Sequence, residues 1–155
     1  GSPTTFYLVC LVLLASVVYF NTLNNQFVFD DIGLILENPA VKQLANIPSR
    51  FTSGIENIPY RPLRGISFTI DYQFTGLNPT GYHISNIIFH VLTTLLVYAI
   101  ISLLTGKSRV AFFAACLFAV HPVHTDSVAY ISGRRDILST LFYLLGFYLF
   151  LQSRN

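Results

Sequence analysis

The chain alternates between long apolar runs and shorter polar segments. No Lys, Arg, Asp or Glu occurs at residues 4–23, 73–105 or 110–125. About 20 consecutive apolar residues form a helix long enough to cross a hydrocarbon core of about 30 Å. The pattern therefore predicts four membrane-spanning helices, at about residues 6–23, 83–104, 110–131 and 137–151.

The third predicted span is interrupted within these bounds. Its continuous apolar part ends at Val120, and residues 121–136 are polar and rich in ionisable groups. We expect Pro122 to break the helix, because proline has no backbone N–H and its ring clashes with the preceding turn.

A polar segment, residues 24–82, separates the first two spans and holds five of the seven prolines. Ordered connections of this length usually have a function. Short helices are predicted at residues 39–44 and 62–74, and in the second the apolar side chains recur at helical spacing. We expect these helices to lie along the membrane surface.

The composition favours a membrane protein over a soluble domain. Hydrophobic residues make up 53% of the 155 positions and charged residues 10%, whereas soluble domains carry about 25% charged residues. We therefore expect an all-α protein that forms a single membrane module in a lipid bilayer. The nine basic residues are scattered along the chain, so nucleic-acid binding is not expected.

The first apolar run is expected to stay in the protein as a span. It has no basic segment before it and no small-x-small cleavage site after Phe20, both of which a signal peptide would show. The chain has no Met, so we interpret Gly1-Ser2 as a tag remnant or a processed end.

Basic residues in short loops predict the orientation of the spans. Lys107 and Arg109 lie between the second and third spans, and Arg154 follows the fourth. These positions predict that both termini lie inside and that residues 24–82 lie outside. Arg134 and Arg135 would then lie on the outer or lumenal side, which indicates that acidic partners hold them.

Two adjacent carboxylates, Asp30 and Asp31, follow the apolar residues 27–29 just after the first span. A carboxylate in such a place can act as a general base, since desolvation raises its pKa. The pair could instead bind a divalent cation. A third interpretation is a solvated helix start, where Asp is common.

Arginine pairs form a second kind of candidate site. Arg61 and Arg64 lie three residues apart, so on a helix they share a face and could clamp a phosphate. Extension of both side chains towards lipid headgroups explains the spacing equally well. Arg134 and Arg135 would suit a phosphate, or an ion pair with Asp30 or Asp31.

Histidines add further candidates. His83, Asn86 and His90 form one stripe of the second span, and polar residues at this depth normally face the bundle interior. For His90 we favour a hydrogen bond between helices. His121 and His124 with Asp126 resemble a zinc-ligand spacing, but no further Cys or His cluster completes the set. We therefore favour hydrogen bonding or protonation at the interface.

Three motifs together resemble one known family. They are Phe29-Asp30-Asp31, the run of residues 60–63 (YRPL), and the string FAVHPVHTDSVAYISGRRDILSTLFYLL at residues 118–145. The chain is similar to the N-terminal region of the transmembrane-and-tetratricopeptide-repeat proteins and their bacterial relatives. These are C-type polytopic glycosyltransferases, which use a polyprenyl-phosphate sugar as donor.

The resemblance implies a function and a set of site residues. It implies transfer of a sugar, mannose in the animal members, from polyprenyl phosphate to Ser or Thr hydroxyls of a protein acceptor. The membrane would be a bacterial inner membrane or one like that of the endoplasmic reticulum. Asp30 and Asp31 would act on the acceptor side as base or orienting group. From the acidic pair itself we predict that Asp31→Asn abolishes transfer without affecting folding. The candidate phosphate and substrate ligands are Arg61, Arg64, His83, His121, His124, Arg134 and Arg135.

Members of this family have roughly ten spans followed by helical repeats, and no repeat of about 34 residues occurs here. We therefore expect either part of a longer enzyme or a truncated relative. The alternative function is a non-catalytic membrane protein that assembles with its own copies, as filament subunits do.

Overall fold

A computed structural model describes residues 3–52 and 60–154, so Gly1-Ser2 and part of the predicted loop 24–82 lie outside the described residues. Every regular element in the described part of the chain is helical. The α-helices are α1 (Pro3–Val17), α2 (Ser49–Thr52), α3 (Pro62–Thr75), α4 (Pro79–Thr105), α5 (Ser108–Val120), α6 (Thr125–Ala129) and α7 (Arg134–Ser153).

Three segments are long and apolar enough to cross a membrane. They are Pro3–Asn24, Pro79–Thr105 and Ile131–Ser153, which lie near the first, second and fourth predicted spans. Large apolar side chains cover their outer faces, for example Leu13 at 59% exposure and Phe142 at 48%. Such a surface is expected where lipid is the solvent.

Residues 110–131, the predicted third span, do not form one continuous helix, and the break comes at Pro122, where it was expected. Helix α5 ends at Val120, and a 3-10 turn and the short α6 follow it. His121 has an extended backbone, with φ −67° and ψ 126°, because the ring of Pro122 disfavours a helical conformation in the residue before it. At 13 residues α5 is about 20 Å long, shorter than a bilayer core.

Helix α4 is the centre of the bundle and packs against α1, α5 and α7. Asn78 caps its N-terminus by accepting a hydrogen bond from the Thr80 N–H at 3.1 Å. Gly106 ends it in the left-handed conformation that favours glycine, with φ 66°. Three alanines on one face of α5, at 111, 115 and 119, are fully buried, and their small side chains let neighbouring helices approach closely.

The loop between the first two spans packs on one end of this bundle. It contains a π-helical turn at Ile32–Leu36, 3-10 turns at Pro39–Lys42 and Leu44–Asn46, and helices α2 and α3. A core of Ile35, Val41, Phe68, Tyr82 and Ile131 joins it to α4 and to the segment before α7. The candidate catalytic residues lie at this end.

Candidate active site at the loop end of the bundle

Asp31 is a buried anchor. Its side chain is 1% exposed. One carboxylate oxygen accepts hydrogen bonds from the Ser132 N–H at 2.9 Å and from the Ser132 hydroxyl at 2.5 Å. The other accepts from the Val28 N–H at 3.1 Å. Burial raises the pKa of Asp31, and these hydrogen bonds oppose that rise. Asp31 thus joins the segment after α1 to the start of the last span.

Asp30 has the opposite environment, because its side chain is exposed. Its N–H donates to the Tyr130 hydroxyl at 3.1 Å. The preceding Phe29 has φ 49° and is 84% exposed. A bulky residue in this left-handed region is rare and strained, and such strain is concentrated at functional sites. The local backbone therefore presents Asp30 to the surface while Asp31 points inwards.

A cleft of about 390 Å³ lies between the start of α3 and the first turns of α7. Arg61, Arg64 and Arg135 lie on its wall, so the structure brings together three of the predicted phosphate ligands. Leu138 and Phe142 also line it. Asp136 places one carboxylate on the wall. The cleft therefore combines three cations, one carboxylate and apolar surface.

Arg64 is at the centre of this charge cluster and is 6% exposed. Burial lowers the pKa of Arg64, and repulsion by Arg61 and Arg135 lowers it further, whereas Asp30 and Tyr130 raise it. Asp30 therefore lies within electrostatic range of the cleft. Arg61 and Arg64 form no ion pair with any described residue, and Arg135 pairs with the exposed Asp136 of the same cleft at 3.3 Å. Three cations against one carboxylate leave a net positive charge among the described lining residues, which favours binding of an anion.

Arg134 lies in the core, away from this cleft. Its side chain is fully buried, and it forms an ion pair with Asp71 at 2.5 Å. It also donates hydrogen bonds to the Asn86 side chain at 2.7 Å, to the Ser67 hydroxyl at 3.1 Å and to the Tyr82 carbonyl at 2.7 Å. The acidic partner expected for this arginine is therefore Asp71, and not Asp30 or Asp31.

The Arg134 network joins α3, α4 and α7. The Ser85 hydroxyl donates to Asp71 at 2.6 Å. The Asn86 amide donates to the Val128 and Tyr130 carbonyls, both at 3.1 Å. Burial raises the pKa of Asp71, and the charge of Arg134 opposes this shift. We call Ser67, Asp71, Ser85, Asn86 and Arg134 the buried network.

The predicted histidines lie outside the cationic cleft. His83 is 1% exposed, and its ring nitrogens form no well-aligned hydrogen bond with described residues. His121 is exposed and accepts from the Val123 N–H at 3.2 Å. His124 packs on Phe118, with ring centroids 4.3 Å apart. Burial and the neighbouring His121 lower the pKa of His124.

The polar stripe on α4 faces the interior, as predicted. His83, Asn86 and His90 are all buried. The His90 Nε2 lies 3.1 Å from the Ala119 carbonyl of α5, which is the expected hydrogen bond between helices. His90, His124 and Asp136 also line a small cavity of about 40 Å³.

No group of three or more His, Cys, Asp or Glu side chains that could hold a metal occurs in residues 3–52 and 60–154. The two adjacent carboxylates diverge, and both oxygens of Asp31 accept hydrogen bonds from protein donors. A shared cation would have to displace those donors.

Sequence reasoning missed Asp71, Ser67, Ser132 and Tyr130. A signal existed for two of them, since Arg64, Ser67 and Asp71 recur at spacings of three and four and therefore share a face of α3. The contact between Asp31 and Ser132 crosses 101 positions, and no local pattern predicts it.

The sequence profile of a family described as dolichyl-phosphate-mannose-protein mannosyltransferase matches residues 62–155. Similar proteins include the protein O-mannosyl-transferases TMTC3 of Mus musculus, 33% identical over 94% of this chain, and F38B6.6 of Caenorhabditis elegans, 36% identical over 96%. Protein O-mannosyl-transferase TMTC1 of Homo sapiens is 41% identical over 83% of this chain. The chain covers 17%, 23% and 16% of these three proteins, respectively. No solved structure matches it.

Proposed function

Since the chain belongs to the dolichyl-phosphate-mannose-protein mannosyltransferase family, we propose that it forms part of a membrane glycosyltransferase. The reaction moves a mannose-like sugar from a polyprenyl-phosphate carrier to a Ser or Thr hydroxyl of a protein. One observation supports this most strongly: a cleft with three arginines and an apolar wall lies within electrostatic range of an exposed carboxylate.

In this proposal the cationic cleft binds the phosphate of the carrier. Arg61 and Arg135 approach it from the wall, and Arg64 adds charge from a more buried position. The first isoprene units lie against Leu138 and Phe142. When the sugar leaves, the carrier phosphate gains negative charge, which preorganised cations stabilise in a site of low dielectric constant.

Asp30 is the general base of the proposed reaction. It takes the proton of the acceptor hydroxyl as that oxygen attacks the anomeric carbon of the sugar. The bond from this carbon to the phosphate oxygen breaks, and the electron pair leaves with the phosphate. Attack opposite the leaving group inverts the anomeric configuration. Asp31 positions Asp30 by fixing the backbone next to it.

We leave Arg134, His83, His121 and His124 out of the phosphate site, because none of them lines the cleft. Arg134 stabilises the site from the core, since its contacts fix the start of α7, the helix that carries Arg135.

The membrane arrangement is part of the same proposal. Helix α5 forms a fourth, shorter membrane segment, and Asp30 lies on the outer or lumenal side. Helix α3 lies along that surface, where Phe74, exposed at 84%, contacts the bilayer. Carrier and acceptor therefore meet on the side where the loop of residues 24–82 packs.

Binding of polyprenyl phosphate to the purified protein tests the cleft. Arg61→Gln and Arg135→Gln should each weaken binding about tenfold, the effect of losing one hydrogen bond from a charged donor. Lys42→Gln is the matched control, because Lys42 is exposed on the same loop and does not line the cleft. Unchanged affinity in both arginine variants, or an equal loss in the control, would contradict the assignment.

A further inference from the structure

A second polar site lies at the opposite end of the bundle from Asp30. Helix α4 has 27 residues, so its two ends are about 40 Å apart. At the far end two clefts of about 490 Å³ and 410 Å³ share Thr4 and Ser108 on their walls. We call these adjoining clefts the basal groove.

The basal groove has positive charge and no nearby carboxylate. Lys107 and Arg109 line its first cleft, and both are exposed. Neither forms an ion pair with any described residue. The seven acidic residues of the chain are at positions 30, 31, 37, 56, 71, 126 and 136. Among the residues that the structure describes, no Asp or Glu lines either cleft, so the charged side chains on the described walls are cations.

A buried hydroxyl borders the second cleft. Tyr98 lines it and is 5% exposed, and its hydroxyl has no hydrogen-bond partner among the described residues. An unpaired polar group in such a place costs stability unless a ligand or water satisfies it. Ser102 and Gln152 make the same wall polar. This cleft therefore suits a ligand that carries hydroxyl groups.

Two further features complete the site. Helix α5 begins at Ser108, and its first N–H groups and helix dipole favour a negative charge at that point. Tyr7 lines the first cleft, beside Lys107 and Arg109, and its ring stacks on that of Phe112, with ring centroids 4.7 Å apart. Aromatic residues at this height are typical of the membrane interface.

We propose that the basal groove binds the headgroup of an anionic phospholipid. The phosphodiester contacts Lys107 and Arg109 at the start of α5, and the headgroup hydroxyls reach the polar wall near Tyr98. The acyl chains remain in the bilayer. The groove thus anchors the end of the bundle that lies farthest from the candidate active site.

Native mass spectrometry of the full chain, titrated with phosphatidylglycerol or phosphatidylcholine, tests this site. Phosphatidylglycerol should bind more tightly than phosphatidylcholine. Arg109→Gln should lower that affinity about fivefold, the contribution of one cation at an anionic membrane surface. Tyr98→Phe should also lower it without lowering the melting temperature of the lipid-free protein, since no hydrogen bond within the protein is lost.

Arg154→Gln is the control, because it removes one charge from the same end while Arg154 lies over the Phe150 ring and outside the groove. Its affinity for phosphatidylglycerol should stay at the wild-type value. Equal affinities for the two lipids, or the same loss in Arg154→Gln as in Arg109→Gln, would overturn the proposal. Binding of soluble glycerol phosphate as tight as that of phosphatidylglycerol would overturn the assignment to a lipid.

Discussion

Asp30 and Asp31 are neighbours in sequence with different tasks. Asp31 is buried and accepts three hydrogen bonds, whereas the Asp30 side chain is exposed beside a strained Phe29. A buried carboxylate whose oxygens are already occupied is poorly placed to take a proton from an acceptor. The exposed one is free to approach a substrate. In the proposed reaction Asp31 would therefore serve positioning and Asp30 proton transfer.

The sequence alone predicts that Asp31→Asn leaves folding intact. The burial and hydrogen bonds of Asp31 instead lead us to expect a less stable protein. The Asn amide group would place hydrogen atoms against the donors of Ser132 or Val28. The variant should therefore lose about 1–3 kcal/mol of stability, measured as a lower melting temperature in detergent. Asp30→Asn is the control and should melt as the wild type does. Equal melting temperatures would show that Asp31 is no anchor.

The sequence pointed to Arg134 and Arg135 as candidates but did not predict their different environments. Arg134 and Arg135 are equivalent in the sequence, yet one is fully buried and the other lines the cleft. The direction of each side chain depends on where α7 begins and on which faces its neighbours cover. Both depend on tertiary packing, which no short sequence motif specifies.

At the scale of elements, the turn into α7 positions Arg135. Gly133 lies so close to the backbone of Asp126 and Ser127 that a Cβ atom would collide with both. Helix α6 and the start of α7 therefore pack backbone to backbone, and this close approach requires a glycine.

Gly133→Ala should lower stability by about 1–3 kcal/mol, because the overlap is with backbone that has little room to move. Gly146→Ala on the same helix is the matched control, since nothing lies within 4 Å of its Cβ position. In Gly146→Ala the free energy of unfolding should rise by about 0.5–1 kcal/mol, because alanine has a higher helix propensity than glycine. Thermal unfolding of both variants checks this, and a neutral Gly133→Ala would refute the close packing.

Hydrophobic periodicity predicted the presence of helices better than the residues at which they begin and end. The uncharged run of residues 73–105 contains α4, and its buried polar stripe was evident from spacing. Within the predicted third span, Pro122 indicates the helix break that the structure shows after Val120. Hydropathy averaged over a window conceals such a break, whereas the backbone of His121 responds to it directly.

For the whole molecule, the buried network is the main polar connection between the loop and the spans. Asp71 on α3 and Arg134 on α7 are 63 positions apart, so sequence spacing could not pair them. The sequence did indicate that this arginine needs an acidic partner, but the choice of partner required the fold. The network holds α3 against α7, and the cationic cleft lies between these two helices.

Breaking this ion pair should destabilise the protein strongly. Asp71→Leu leaves Arg134 buried without its counter-ion, which costs about 3–5 kcal/mol. The double variant Asp71→Leu with Arg134→Leu removes both charges and should be less destabilised than Asp71→Leu alone. Melting temperatures of the single and double variants measure this difference. Additive losses would argue against direct coupling of the two side chains.

The most direct test of the central claim is transfer of labelled mannose from a polyprenyl-phosphate donor to a Ser- or Thr-containing peptide, in membranes that contain the protein. Asp30→Asn should lower the rate by about 10² to 10⁴, the contribution of a general base. Glu37→Gln, which changes another exposed acid of the same loop, should keep the wild-type rate. Wild-type turnover by Asp30→Asn would contradict the account.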